Sequence, residues 1–321
     1  MNLSKDIVHL ICSYLSKSDV FSWAETCKYV NNKIILYANK KYYYHVTFKS
    51  LFYNITNDII IKNNLDQIPK IIIYDDFEFG YIHTNITHLI FDDKFNSKIN
   101  DLNLPNLTHL TFGNYFDQPI ESLQVPNLTH LTFGNYFDQP IEKLQVPKLI
   151  FLTFGKVFDQ PIESLQVQNL THLTFGSDFD YPIEKLQVPK LIFLTFGYHF
   201  DQPIEKLQVP KLIFLSFGNN FDQPIENFQV SKLIFLTFGD MFNHTIENLQ
   251  IPNLNILAFG YQFNQPIENI KVHNLKQLIM TKYPQKKIKN TGVLKNTIIY
   301  INSFSGLTKY VPRNSMIDHL K

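Results

Sequence analysis

Between residues 107 and 274 the apolar positions return at fixed offsets every 21 residues. In the first copy they are Leu107, Leu110, Phe112, Phe116, Ile120, Leu123 and Val125. Leu110 and Phe112 flank polar Thr111, the period-two alternation of a strand with one buried face. Gly113 follows as a strand breaker able to take positive φ. Pro119 and Pro126 then exclude a regular helix from the return path. The pattern predicts one short strand and one irregular return per copy.

Gly113, Gly134, Gly155, Gly176, Gly197, Gly218, Gly239 and Gly260 mark eight copies that tile 107–274 without an insertion. A worn copy spans 86–106, and another decayed one follows Leu275. A single copy buries too little apolar surface to offset its ordering entropy, so the copies must stack and share a parallel sheet. At about 4.8 Å per strand, eight rungs make a wall roughly 38 Å long.

If Leu110 and Phe112 point inward, the residues beside them point outward and form columns. One column is Thr111 and its equivalents. The other is His109, His130, Phe151, His172, Phe193, Phe214 and Phe235, continued by Ile256. Three successive outward phenylalanines predict an exposed apolar patch that binds a target. The alternative is a cross-strand ladder or a face covered by the tail. The two residues after each glycine vary from copy to copy, as in Asn114-Tyr115, Lys156-Val157, Tyr198-His199 and Asp240-Met241, which suits a recognition rim. Glutamates from Glu121 to Glu268 and aspartates from Asp117 to Asp222 also stack once per copy. No calcium-caging nonapeptide accompanies them, so they read as solvated columns offset by Lys143, Lys185 and Lys206. The histidines lack a second interleaved ligand type, so no metal or cofactor is expected.

The opening residues have helical periodicity instead. Ile7, Leu10, Ile11, Tyr14 and Leu15 fit one helix capped by Ser4, and Val20, Trp23, Ala24, Cys27 and Val30 fit a second. A third begins near Asn32. Residues 46–85 read as short strands of a cap or as eroded rungs, and 275–321 as the closing end, with "TIIYIN" as a last strand and Ser303–Gly306 as a turn.

Composition changes this picture little. The chain has 321 residues, is 45% hydrophobic and carries a formal net charge of +1, which gives no general case for nucleic acid. The charge is uneven. Residues 107–274 carry −7 and residues 275–321 carry +8, an acidic body with a basic end. Cys12 and Cys27 have no metal-ligand spacing, and no run reaches the roughly 18 apolar residues of a membrane helix. With no secretory signal read at the start, a cytoplasmic location and no membrane partner are expected.

The Leu-x-x-Leu-x-Phe core resembles a short leucine-rich repeat, and the fuller pattern resembles its relative, the FNIP repeat. The residues carrying this are Phe116-Asp117-Gln118-Pro119-Ile120 and Phe263-Asn264-Gln265-Pro266-Ile267. The copy at Phe242 departs, with His244 and Thr245, and the usual ladder asparagine of leucine-rich repeats is missing from its place. The first 45 residues resemble an F-box through Leu3, Asp6-Ile7, Ile11, Tyr14-Leu15, Asp19-Val20, Trp23, Cys27-Lys28, Val30 and Ile34. Ser4 stands where that family has proline. An F-box followed by an FNIP array is the arrangement of proteins from giant amoebal viruses.

These resemblances imply an α+β chain. A three-helix F-box-like module at 1–45 leads to a cap at 46–85, a degenerate repeat at 86–106, eight FNIP-type repeats at 107–274 and a C-terminal cap at 275–321. The array is expected to be a leucine-rich-repeat-like solenoid with a parallel sheet, a parallel β-helix being the alternative. The F-box resemblance assigns Leu3, Ile7, Ile11, Tyr14, Leu15 and Val20 to a Skp-type adaptor of a cullin-RING ubiquitin ligase. An unknown target protein would lie on the array, in the cytoplasm of the host cell for a viral protein. No phosphate loop, nucleophile elbow or metal triad is present, so no catalysis is expected. The chain then reads as the target-recognition subunit of a Skp-cullin-F-box ligase, or alternatively as a binding scaffold with no ligase link.

Overall fold

The computed structural model describes residues 70–73, 86–99, 103–267, 270, 272, 275–281, 297–303 and 306–310. The F-box-like module, including Leu3, Ile7, Ile11, Tyr14, Leu15 and Val20, lies outside the described residues.

Each 21-residue copy contributes one short strand. In chain order these are β1 (Lys70–Ile73), β2 (His88–Phe91), β3 (His109–Thr111), β4 (His130–Thr132), β5 (Phe151–Thr153), β6 (His172–Thr174) and β7 (Phe193–Thr195). There follow β8 (Phe214–Ser216), β9 (Phe235–Thr237), β10 (Ile256–Phe259), β11 (Gln277–Met280), β12 (Ile298–Ser303) and β13 (Gly306–Tyr310). From β2 to β12 the strands begin at intervals of 21 residues, so the step continues on both sides of 107–274. All thirteen form one sheet in chain order. Equivalent residues pair, as Leu110 with Leu131, so register follows from the repeat itself. Every pairing is parallel except the last, where β12 and β13 form an antiparallel hairpin with Ser303 opposite Gly306. "TIIYIN" is therefore a strand, with one more beyond it. No helix occurs among the described residues. The architecture is a parallel-sheet β-solenoid, leucine-rich-repeat-like in its 21-residue rungs.

Each rung bends three times on its return path. In the first copy, Phe116 N–H donates to Gly113 C=O, Leu123 N–H to Ile120 C=O and Leu128 N–H to Val125 C=O. Pro126 occupies the second position of the last turn, where its fixed φ suits the geometry. All seven apolar positions of the copy are buried. Phe112 and Phe116 stack with centroids 4.0 Å apart, and each also stacks on its equivalent in the next rung, at 5.5 and 6.0 Å. Two aromatic files thus run through the core, each pair adding about 0.5–1.5 kcal/mol beyond simple burial.

The glycine column has a different cause from the one its sequence predicts. None of these glycines lies in the left-handed φ region. A Cβ on Gly176 would instead fall on the backbone carbonyl of Gly155, and the same overlap recurs at all eight. The residue is required by the close approach of successive rungs, because any side chain there would push them apart.

Candidate binding face

The sequence-predicted target column is assembled by the strands as one continuous file. His88, His109, His130, Phe151, His172 and Phe193 stack with centroids 3.9–4.4 Å apart and planes within 23° of parallel. Phe214 and Phe235 continue it more loosely, at 5.6 and 6.0 Å. The expectation of an exposed phenylalanine patch is corrected: Phe193, Phe214 and Phe235 are only 5%, 3% and 2% exposed. Each ring covers the face of its neighbours, which makes the column a cross-strand ladder. Burial also varies along the face. His109, His130, Thr111 and Thr132 are half-buried, whereas Ser216, Thr237, Ile256 and Ala258 are buried. The face is half-open at its N-terminal rungs, at Thr174 and Thr195, and again at Gln277 and Ile279 of β11.

Histidine and phenylalanine alternate in this ladder by a local rule. Each ladder histidine follows a threonine and each ladder phenylalanine an isoleucine, as in Thr171-His172 and Ile192-Phe193. The hydroxyl explains the coupling. Thr171 Oγ1 donates to the carbonyl of Ile150 at 3.2 Å and lies 2.8 Å from His172 Nδ1. With the hydroxyl proton directed to that carbonyl, Nδ1–H donates to Oγ1. Thr108-His109 and Thr129-His130 repeat the arrangement. The arrangement suits rings that carry a proton on Nδ1. At His172 the remaining atom, Nε2, is buried without a hydrogen-bond partner. Burial, with a smaller push from His130, lowers its pKa from 6.5 to about 3. Burial and then His88 lower that of His130 to about 4.

The aspartate column is a structural ladder where sequence reading predicted solvated carboxylates. Asp138 N–H donates to Asp117 Oδ1 at 3.1 Å, and the same bond recurs at 2.8–2.9 Å from Asp159, Asp180, Asp201 and Asp222 to the aspartate one rung back. Asn96 and Asn243 accept in the same way from Asp117 and Asn264. The ladder residue of a leucine-rich repeat is therefore present in function, moved to a new place and built from Asp. The signal was in the sequence: only Asp or Asn occupies this position, and either supplies the needed acceptor. The glutamates follow the expectation only in part. Lys143, Lys185 and Lys206 pair with Glu121, Glu163 and Glu184 one rung back at 3.4–3.9 Å. Glu163, Glu184 and Glu205, however, are half-buried and also accept the backbone N–H of Lys185, Lys206 and Asn227 at 2.9–3.2 Å. Glu268 lies outside the described residues.

The variable pair after each glycine forms the rim at the strands' C-terminal edge. Five of the six large apolar side chains exposed among the described residues lie there: Tyr115, Tyr136, Tyr198, Met241 and Tyr261. Tyr115 and Tyr136 are 54% and 52% exposed, and their rings stack 5.1 Å apart. The backbone beneath is regular, Tyr136 N–H donating to Asn114 C=O and Val157 N–H to Asn135 C=O. A rigid strip thus carries side chains that differ from rung to rung, which is what selective binding of an extended surface requires.

Comparison with known proteins places these features. Residues 57–115, 116–156 and 158–199 match the model of the FNIP Repeat family. No curated protein matches the chain in sequence. Among solved structures, CroV588, described as a novel circular LRR protein structure, is 28% identical over 74% of this chain, with a TM-score of 0.56. The chain spans less than half of that protein, 44% of its length. InlP of Listeria monocytogenes is 17% identical over 69% of this chain and 63% of its own, with a TM-score of 0.46. A chain whose strands step by 21 residues through one parallel sheet is a leucine-rich-repeat-like repeat protein, and between residues 57 and 199 it is similar to the FNIP Repeat family.

Proposed function

We propose that the chain is the non-catalytic target-recognition subunit of a Skp-cullin-F-box ubiquitin ligase, working in the cytoplasm. Leucine-rich-repeat-like solenoids are typically binding scaffolds, and the array here resembles them. The observation that carries the binding role is the rim, where exposed aromatic side chains concentrate on an otherwise uniform framework. The target contacts the rim and the half-open N-terminal rungs of the histidine ladder, around His109 and His130. The ligase link rests on the F-box resemblance of residues 1–45, with Leu3, Ile7, Ile11, Tyr14, Leu15 and Val20 meeting the adaptor. No residue of this chain performs chemistry. It raises the local concentration of a target beside a transferred ubiquitin.

The test is direct binding of the purified full chain to a Skp-type adaptor. The wild type binds, and a Leu3→Ala, Ile7→Ala, Ile11→Ala variant binds at least tenfold more weakly at an unchanged melting midpoint of the array. If the wild type shows no adaptor binding, the ligase link is lost, and a protein-binding scaffold of the same architecture is the reading that stands.

A further inference from the structure

The two edges of the sheet differ in charge. On the C-terminal side, the strip from each glycine position to the ladder position holds ten aspartates and two lysines, Lys94 and Lys156, across rungs 92–264. On the N-terminal side, the turn before each strand holds Lys148, Lys190, Lys211 and Lys232 and no acid. The exposed tyrosines stand on the acidic side. There the ladder bonds of Asp117, Asp138, Asp159, Asp180 and Asp201 engage Oδ1 only, leaving each second oxygen without a partner among the described residues. Asp178 adds a further carboxylate between them, on the variable pair itself.

Resting on the binding role proposed above, we infer that the rim takes an extended lysine- or arginine-rich protein segment laid across the rungs. Such a segment uses both features at once. Its cations sit over the exposed faces of Tyr115, Tyr136 and Tyr198 and pair with the neighbouring carboxylates. An acidic or purely apolar segment would use one feature and be opposed by the other. From Tyr115 to Met241 the rim spans six rung steps, about 29 Å, the length of about nine extended residues. Individual surface ion pairs are weak, so affinity comes from their repetition along the strip and depends on salt.

The test is a fluorescence-anisotropy titration of the full chain with a labelled peptide of about nine residues, alternating Lys and Arg with Gly, beside a peptide with Glu in place of the cations. The basic peptide binds and the acidic one does not. Lowering salt from 300 to 50 mM tightens binding about tenfold. Tyr115→Ser with Tyr136→Ser weakens it about fivefold, Asp178→Lys at least threefold, and Lys211→Glu on the other edge leaves it unchanged. Equal binding of the acidic peptide, or equal loss from Lys211→Glu and Asp178→Lys, overturns the inference. So does sedimentation of the wild type as a dimer that the tyrosine variant abolishes, which assigns the rim to a second copy. Adaptor binding is read at Leu3, Ile7 and Ile11, so failure here is separable from failure of the ligase link.

Discussion

Replacing Thr171-His172 by Ile-Phe converts one rung from the histidine to the phenylalanine form that the chain already uses at Ile150-Phe151 and Ile192-Phe193. His172 is stacked between Phe151 and Phe193, is 6% exposed and has no partner for Nε2. Protonating it would place a charge and an unmatched donor in an apolar file, so the fold holds it neutral. Its folded pKa of about 3 lies below the unfolded 6.5. The stabilisation from keeping it neutral is therefore complete above pH 6.5 and is lost as pH falls from there towards 3. Between pH 7 and pH 5 the unfolded state gains about 1.5 pH units of protonation free energy that the folded state does not, or about 2 kcal/mol. For an array of this size that is about 4–8 °C of melting midpoint. The double variant removes this site's contribution, and it also removes an unsatisfied buried atom that costs about 1–3 kcal/mol. Unfolding of a repeat array need not be all-or-none, so the observable is the difference in midpoint between variant and wild type, by circular dichroism at pH 7 and at pH 5. The variant melts higher at both, and the gap widens by about 4–8 °C at pH 5. Equal pH dependence in the two proteins would refute the reading of His172 as a buried neutral imidazole.

Three further outcomes follow from the columns. Gly176→Ala drives a methyl group into the Gly155 carbonyl, so it costs about 3 kcal/mol or more, visible as a split or lowered melting transition. Asp159→Ala strips the acceptor from Asp180 N–H and costs about 1–2 kcal/mol, whereas Asp159→Asn stays within about 0.5, as Asn243 and Asn264 hold equivalent positions; urea midpoints distinguish them. Phe158→Ala empties a fully buried site stacked on Phe154 at 3.9 Å and on Phe137 and Phe179 at 6.1 Å, costing about 3–5 kcal/mol in the same assay.

The period of 21, the strand at Leu110 and its equivalents, the parallel stacking and the seven core positions were legible because each is a statement about one copy and its translation. What a copy in isolation hides is its contact with the next. Gly113 reads as a turn residue until Asp92 is brought against it by the rung below. Asp117 reads as a solvated charge until the N–H of Asp138 is set 3.1 Å from it. Phe214 reads as exposed because period-two alternation assumes a bare outer face, yet the rings above and below it occupy that face. The helical periodicity of residues 1–45 gives the F-box reading, and those residues lie outside the described part.

The same inter-rung contacts account for where the copies are free to differ. A substitution in the glycine, aspartate or core phenylalanine columns must suit two neighbours at once, the rung before and the rung after. The His/Phe ladder tolerates two chemical forms only because the residue before it changes in step, threonine supplying the acceptor that a buried imidazole needs and isoleucine filling the place when the ring is apolar. The rim has no such shared template. Its side-chain contacts are different at each step, an Asn135–Asn114 bond at one, a Tyr115–Tyr136 stack beside it, an Asn219–Asp240 bond farther along. Its backbone ladder holds whatever the side chain is, as at Tyr136, Val157, Asp178 and His199 in succession. Duplication of a rung therefore copies the framework and leaves the rim as the place where sequence change costs the fold least, and a surface of that kind acquires a binding preference one rung at a time.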